Sequence, residues 1–467
     1  MRRFVQADRD QPMLLPPDLR DWVPENDLAH FIIEAVERVD MAAFKINERG
    51  CGSAQYNPRM MLALVIYCYA NGIFSSRRIE RATHRDVGVR LVAANTHPDH
   101  DTIAAFRLKN FDAIANCFLQ VLLLAKELKL LKVGTVSIDG TKVDANANIT
   151  KSVRYDRAKK LAEKLEADIA DLMQKAEAAD ASGETDSQAL PKDIARREAL
   201  RDKLDAACKT LERRAKAKAE KEKADYEKKM KEREKREGRA KGPPPKNPEE
   251  KESFGKPEPD EQISLTDADS AIMRKSKRSE YRQAYNAQAV VDADGSQLVV
   301  GAEVSQCASD SGELAKDIAS IPKEVGKPSD ALADNGFANG DEVQKVEDQD
   351  INVLVATGAE GRQREYDFRP EKPGKEPKEP KAQWLKDMAA KLETEEGRKK
   401  YRLRQQTVEP VFGIIKSVLG FRQFSLRGID KVRGEWKLVA LAYNFKRLHN
   451  LVLAKQKSEA QASAAAA

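Results

Sequence analysis

Asp139, Asp334 and Glu409 are the residues whose types and positions could carry chemistry. Asp139 follows a stretch in which Val133, Val136 and Ile138 alternate with Gly134, Thr135 and Ser137, the pattern of a strand. Asp334 follows a second short strand, Asp330-Ala331-Leu332-Ala333, and Glu409 lies on a late helix in Thr407-Val408-Glu409-Pro410-Val411-Phe412. In open α/β sheets, sites gather outside the C-terminal ends of strands. Three carboxylates at such a point suit two Mg²⁺ ions, which take hard oxygen ligands. Two ions roughly 3.5–4 Å apart would stabilise the attacking and leaving oxygens of an in-line phosphodiester displacement. An Asp-Gly step is also a common turn, so Asp139 alone fits a turn or a cap as well; it is the trio that favours the metal reading.

Other polar residues cluster around these acids in sequence. Lys142 follows Asp139 closely and could reach a phosphate or sit on the surface. Asn286 and Gln288 point to one face of a single strand, where they could orient carboxylates, touch DNA or bond along a sheet edge. Arg422, Arg427, Lys431 and Arg433 form a basic cluster beside Phe421, Phe424 and Trp436. From Tyr401 to Asn450 there are ten Lys/Arg and three Asp/Glu, a net charge of +7 against +6 for the whole chain. A local positive field of that kind favours a polyanion partner or marks a merely basic surface. Trp436, Val439 and Tyr443 read as core.

The elements that must position these groups follow from periodicity. Residues 1–126 read as a helical domain. It includes Leu28–Val39, a helix opened by Asn57-Pro58, a basic helix through Arg77 and Arg78, and another starting at Ile103 and carrying Arg107. Three short helices, a tight turn and arginines resemble a helix-turn-helix arrangement or form a plain bundle. His97 and His100 stand three apart, a metal-site spacing without a third ligand in the turn. Residues 151–260 change character. Leu161, Leu165, Ile169, Leu172 and Ala176 form one apolar stripe, and Leu200, Leu204, Ala207 and Leu211 another, as in an antiparallel coiled-coil hairpin. A turn at 180–184 joins them, and Gly238 with Gly242-Pro243-Pro244-Pro245 ends the second. Strands resume at Tyr285–Val291 and Leu298–Val304 around an Asp292–Gly295 hairpin turn. A helix over 311–320 capped by Asp310 or Ser311, the Asp330–Ala333 strand, a helix over 338–347 and a strand over 351–356 come next. A polar connection at 358–383 leads to helices over 384–418, with a break near Gly397, and 429–453. The tail, 454–467, reads as disordered.

The chain has 467 residues with 34% charged and 41% hydrophobic, enough for two or three domains. No stretch approaches about 20 apolar residues, so no membrane span is expected. The N-terminus lacks an apolar signal region, and five scattered cysteines form no CxxC pair. A cytoplasmic, nucleoid-associated protein is expected.

Without the charged insertion the order is strand, strand-turn-strand, helix, strand, helix, strand, helix. That is a mixed sheet flanked by helices, an α/β arrangement, and also the order of the RNase H-like fold. The expected domains are a helical one at 1–126, the sheet domain at 127–150 and 261–453, and the insertion at 151–260. Several segments then resemble a DDE transposase of bacterial insertion sequences, in the broad IS-four-like group and nearest its eleven-eighty-two-like branch. They are Val136–Lys142, Tyr285–Gln288, Ala333–Phe337, Tyr401–Arg404, Val408–Lys416, Ser76–Glu80 and Pro98–Arg107.

The resemblance implies Asp139, Asp334 and Glu409 as catalytic metal ligands for two Mg²⁺ ions, with Mn²⁺ as a substitute. It also implies a Tyr-Arg-Glu-Lys signature whose types are met by Tyr401, Arg404, Glu409 and Lys416. Lys416 lies seven residues after Glu409, two turns on along one face. The implied activity is binding of terminal inverted repeats, strand cleavage and transfer of the freed 3′-OH into target DNA by a homodimer. Expected DNA contacts are Tyr401, Arg404, Lys416, Arg422, Arg427, Lys142, Arg77, Arg78 and Arg107. Two other readings are a nuclease that uses the same carboxylates but cuts without strand transfer, and an inactive DNA-binding or scaffold protein built around the coiled coil, against which the intact acids argue.

Overall fold

The computed structural model describes residues 18–46, 54–182, 189–235, 245–251, 253–274, 279–358 and 382–466. In chain order the helical part comprises α1 (Leu19–Trp22), α2 (Leu28–Glu37), α3 (Pro58–Ala70), α4 (Ser76–Arg85), α5 (Val87–Val92), α6 (His100–Lys109) and α7 (Phe111–Glu127). Then come β1 (Thr135–Asp144), β2 (Ser152–Arg154), α8 (Tyr155–Ser182), α9 (Ala189–Lys235), β3 (Gln262–Ser264), β4 (Ala271–Met273), β5 (Arg282–Asp292) and β6 (Val299–Ser305). The rest is α10 (Leu314–Ala319), β7 (Asp330–Ala333), α11 (Gly340–Glu347), β8 (Asn352–Val355), α12 (Gln383–Glu393), α13 (Glu395–Gly413) and α14 (Ile429–Ala466). The expected turn at 180–184, the stops at 238 and 242–245 and the connection at 358–383 fall wholly or largely outside the described residues.

Capping chemistry sets several boundaries. Asp27, Asn57 and Asp99 cap α2, α3 and α6 by accepting backbone N–H groups, and Pro58 occupies the first turn of α3. α3 is apolar nearly all round and is buried from Met61 to Ala70, as a helix without a polar face must be.

The chain forms two compact units, one of residues 1–143, 286–426 and 430–467, the other of residues 144–285 and 427–429. The first contains the N-terminal helices together with the sheet. Its strands lie in the order β6-β5-β1-β7-β8. β5 and β6 are antiparallel, whereas β1, β7 and β8 are parallel. α10, α11, α12 and α13 pack on β6, β8 or β7. At the start of edge strand β6, the Asn444 amide of α14 accepts the Val299 N–H and donates to the Val299 carbonyl, each at 2.8 Å. The N-terminal helices meet this core through Phe31 on Phe445, Phe74 on Phe421, and Lys446 donating to the Ala70 carbonyl.

Two expectations are corrected and one holds. α10 starts at Leu314 and not at 311, and the expected caps do not cap it; Glu313 precedes it. The late helix breaks near Gly397 as expected: Thr394 separates α12 from α13, and its hydroxyl accepts the Gly397 N–H and caps α13. α14 continues to Ala466 through the segment expected to be disordered, because its Ala, Gln, Glu and Lys are strong helix formers.

In the second unit, α8 and α9 run antiparallel, with the Tyr155 hydroxyl donating to Glu212 Oε1 at 2.6 Å. Ala158, Leu204, Ala207, Cys208 and Leu211 pack there with Val153 of β2 and Ile263 of β3. Leu161 and Leu200, read as part of the two stripes, are exposed at 36% and 42%, so the buried seam is shorter than the stripes. The unit reaches beyond the expected 151–260 because β2 pairs with β3 and β4 pairs with the first residues of β5. Three-residue strands leave no periodic signal.

Arg107, expected at DNA, is only 5% exposed. Its guanidinium donates to the Tyr69 hydroxyl, the Phe74 carbonyl and the Ser76 hydroxyl, and so ties α6 to the turn between α3 and α4. Arg107→Ala should lower the stability of the first unit by about 3 kcal/mol, since it orphans buried partners. The exposed Arg77→Ala should change it by less than about 0.5 kcal/mol. Trp22, Trp384 and Trp436 all lie in this unit, so urea unfolding followed by tryptophan fluorescence reports it directly. Equal midpoints for the two variants would contradict the structural role of Arg107.

Candidate active site

The site begins with strand register. β1 and β7 are parallel, with Thr135 beside Asp330 and Ile138 beside Ala333. Asp139 and Asp334 are the next residues along each chain, so two carboxylates are set side by side across one strand spacing, about 4.8 Å. Asp139 Oδ1 accepts the Gly140 N–H, and Asp334 Oδ1 accepts the Gly336 N–H, each at 2.8 Å. Burial, then the neighbouring charge of Asp334, pushes the Asp139 carboxyl up to about 7; the Gly140 N–H and the Arg404 cation oppose this, while Asp310 adds to it. Two ionised carboxylates in a partly dry site repel, and protonation or a cation relieves them.

Asp310 is a third acid in the same place, read from sequence only as a helix cap. Its Oδ1 accepts the side-chain amides of Asn286 at 2.6 Å and Gln288 at 2.8 Å, and Lys142 Nζ stands 3.6 Å away. Both carboxamides are fully buried. This settles the orientation of Asn286 and Gln288: they hold a carboxylate. Gly140 is needed here, since a methyl at that position would stand 2.5 Å from Gln288 Nε2 and 2.6 Å from Asp310 Oδ1. The missed signal was a pair of same-face carboxamides on β5 that needed an acceptor.

α13 brings the remaining residues. The Tyr401 hydroxyl donates to the Ala333 carbonyl, next to Asp334, and Lys400 pairs with Asp330 at 2.9 Å. Pro410 supplies no N–H to the Gln406 carbonyl, which instead accepts from Gln297 at 2.8 Å. Arg404 is 6% exposed; its guanidinium lies over the Tyr401 ring and 3.7 Å from Glu409 Oε1. Arg404 is therefore not an open DNA contact as expected: it is a buried cation between Glu409 and the Asp139 region. Glu409 itself is 46% exposed.

A π-helical turn, Ile414–Val418, follows α13. Such turns recur at functional sites. This one points Lys416 Nζ at the Thr141 hydroxyl and the Lys142 carbonyl, so Lys416 braces β1 and is not presented to solvent as a phosphate contact. Arg422 donates to the Lys416 carbonyl and Arg427 to the Asn146 carbonyl; both are exposed, as are Arg77 and Arg78 on α4. Trp436, Val439 and Tyr443 are core, and the Trp436 indole donates to the Gln288 carbonyl at 2.8 Å. His97 bonds Thr83 and His100 bonds Glu80.

Among the described residues, no three His, Cys, Asp or Glu side chains are close enough to hold an ion as they stand. The donor chemistry nonetheless fits a hard divalent cation. Asp139 and Asp334 are adjacent, and the buried carbonyl oxygens of Asn286 and Gln288 lack hydrogen-bond partners. Glu409, the expected third ligand, is engaged by Arg404.

The raised Asp139 carboxyl sets a pH test. Folded, Asp139 keeps its proton up to about pH 7; unfolded, only to about pH 4. Between those values the folded chain binds more protons, so stability rises as pH falls. In chelator-treated buffer, the parent should gain up to about 4 kcal/mol relative to Asp139→Asn between pH 8 and pH 4. The variant should be the more stable of the two at pH 8. Parallel melting-temperature profiles would contradict the crowded-carboxylate site.

Residues 371–449 match a family model described as a transposase DDE domain, and residues 17–109 match one described as a transposase domain (DUF772). The first covers the helices carrying Tyr401, Arg404, Glu409 and Lys416; the second covers α1 to α6. No curated protein and no solved structure matches the chain. The match over the helix of Glu409, together with that over the N-terminal helices, indicates a DDE transposase, an enzyme of metal-dependent DNA cleavage and transfer.

Proposed function

We propose that this enzyme belongs to the IS-four-like group, with an RNase H-like catalytic core. It binds the terminal inverted repeats of its element, cleaves a strand with Mg²⁺ and joins the freed 3′-OH to target DNA. The observation that carries the proposal is the β1–β7 register that sets Asp139 beside Asp334, with α13 packed on β7. The strand order β6-β5-β1-β7-β8 supports the core assignment.

Bound Mg²⁺ would polarise the scissile phosphate and activate water or the 3′-OH. Asp139, Asp334 and Glu409 are the residues to hold it, and each must be ionised. Asp139 then releases its proton on cation binding, so affinity strengthens as pH rises through about 7. Arg404 orients Glu409 and balances its charge, while Lys416 steadies the strand end that carries Asp139 and Lys142. Exposed Arg77, Arg78, Arg422 and Arg427 are the groups for the DNA backbone. An element has two ends, and a homodimer would hold one in each copy.

DNA flanking the chain's own reading frame supplies the test substrate. The parent should nick it with Mg²⁺, and with Mn²⁺ as a substitute, and should join a precleaved end to target DNA. Glu409→Ala should abolish both reactions, yet bind the end with unchanged or slightly higher affinity in a gel shift, because phosphate affinity comes from Lys and Arg. Cutting without joining would favour a nuclease. Parental nicking by Glu409→Ala would remove that helix from the active site.

A further inference from the structure

We propose that Asp310 is a fourth carboxylate of the active centre: with Asp139 and Asp334 it supplies oxygen ligands to a divalent cation, and Lys142 holds its charge when no cation is bound. The inference rests on the metal-dependent reading above and extends it to a residue outside the expected trio.

A methyl at Gly140, the residue after Asp139, would touch Asp310 Oδ1, and a methyl at Gly336, two residues after Asp334, would stand 2.9 Å from Asp334 Oδ1 and 3.5 Å from Asp310 Oδ2. The carboxylate of Asp310 thus reaches the backbone beside both aspartates. Its hydrogen bonds from Asn286 and Gln288 fall on Oδ1, and Oδ2 is the oxygen turned towards Gly336 and Asp334.

Asn286 and Gln288 are fully buried, yet Asn286 Oδ1 and Gln288 Oε1 have no hydrogen-bond partner. An orphaned buried carbonyl oxygen costs on the order of 1–3 kcal/mol. Gln288 Oε1 lies 2.7 Å from the position a methyl at Gly140 would take, so it is aimed at the Asp139–Gly140 step. An unsatisfied hard oxygen beside the backbone of Asp139 and Asp310 Oδ1 is a group that a hard divalent cation would satisfy.

A purely structural role explains Asp310 poorly. The N–H groups of α10 do not cap on its carboxylate; Glu313 precedes that helix and donates its N–H to the Asp310 carbonyl. The Lys142 ammonium at 3.6 Å is too far for a good hydrogen bond. It balances charge without locking the carboxylate, and a divalent cation would displace it.

The test titrates the full-length protein with Mn²⁺ alone, without DNA, by calorimetry. Asp139→Asn should lose binding. Asp310→Asn, nearly isosteric, should weaken it roughly tenfold or more, with an unchanged tryptophan-fluorescence melt. Lys142→Gln removes the competing ammonium and should tighten binding severalfold, a gain that should shrink when Asp310→Asn is added. If Asp310→Asn does not fold, Lys142→Gln decides alone. Parental affinity in Asp310→Asn, or weakened affinity in Lys142→Gln, would overturn the role of Asp310 while loss in Asp139→Asn kept the metal-dependent reading intact. A parent that binds no Mn²⁺ would overturn both.

Discussion

The structure depends on one parallel strand pairing. With Ile138 beside Ala333, the residues that follow are both aspartates, and the sheet forces their carboxylates together. Burial and the neighbouring Asp334 push the Asp139 carboxyl up to about 7, so keeping both acids ionised there costs free energy. Strand register is specified by many hydrophobic contacts, here Val136, Ile138, Leu332 and Ala333, all fully buried. The two acids cannot relax apart without giving up that packing. A bound cation would turn that cost into binding energy.

The surrounding groups follow from the same need for charge balance. Asp310 lies against two carboxamides and a lysine, Glu409 against Arg404, and Lys416 braces the end of β1. α14 supports the other side, with Trp436 bonded to the β5 backbone at Gln288. The basic groups that support the carboxylates and the basic groups on the surface are therefore distinct sets. Arg404 and Lys416 hold the centre, while Arg77, Arg78, Arg422 and Arg427 remain exposed.

Much of this was legible in local pattern. The alternation before Asp139, the short apolar run before Asp334 and the hairpin turn at Asp292–Gly295 are near-neighbour signals, and each lies where the strands form. The sorting of arginines was legible too, and was missed. Arg107 is four residues after buried Ile103, and Arg404 shares a helical face with buried Val408, Val411 and Ile415, so both belong to core stripes. Arg77 has no such neighbours on its face. Asp310 was not legible, because its carboxylate is defined by strand β5, distant in sequence. Nor were β2, β3 and β4, whose three residues each carry no period.

The central claim is that Asp139 and Asp334 hold a divalent cation between β1 and β7. Fe²⁺ in place of Mg²⁺, with ascorbate and peroxide, generates hydroxyl radicals at the bound ion and cuts the nearest backbone. The account predicts cuts at 139–140 and 334–336, suppressed by excess Mg²⁺ and absent from Asp139→Asn. Cuts confined to other segments, or cuts that persist in Asp139→Asn, would contradict it.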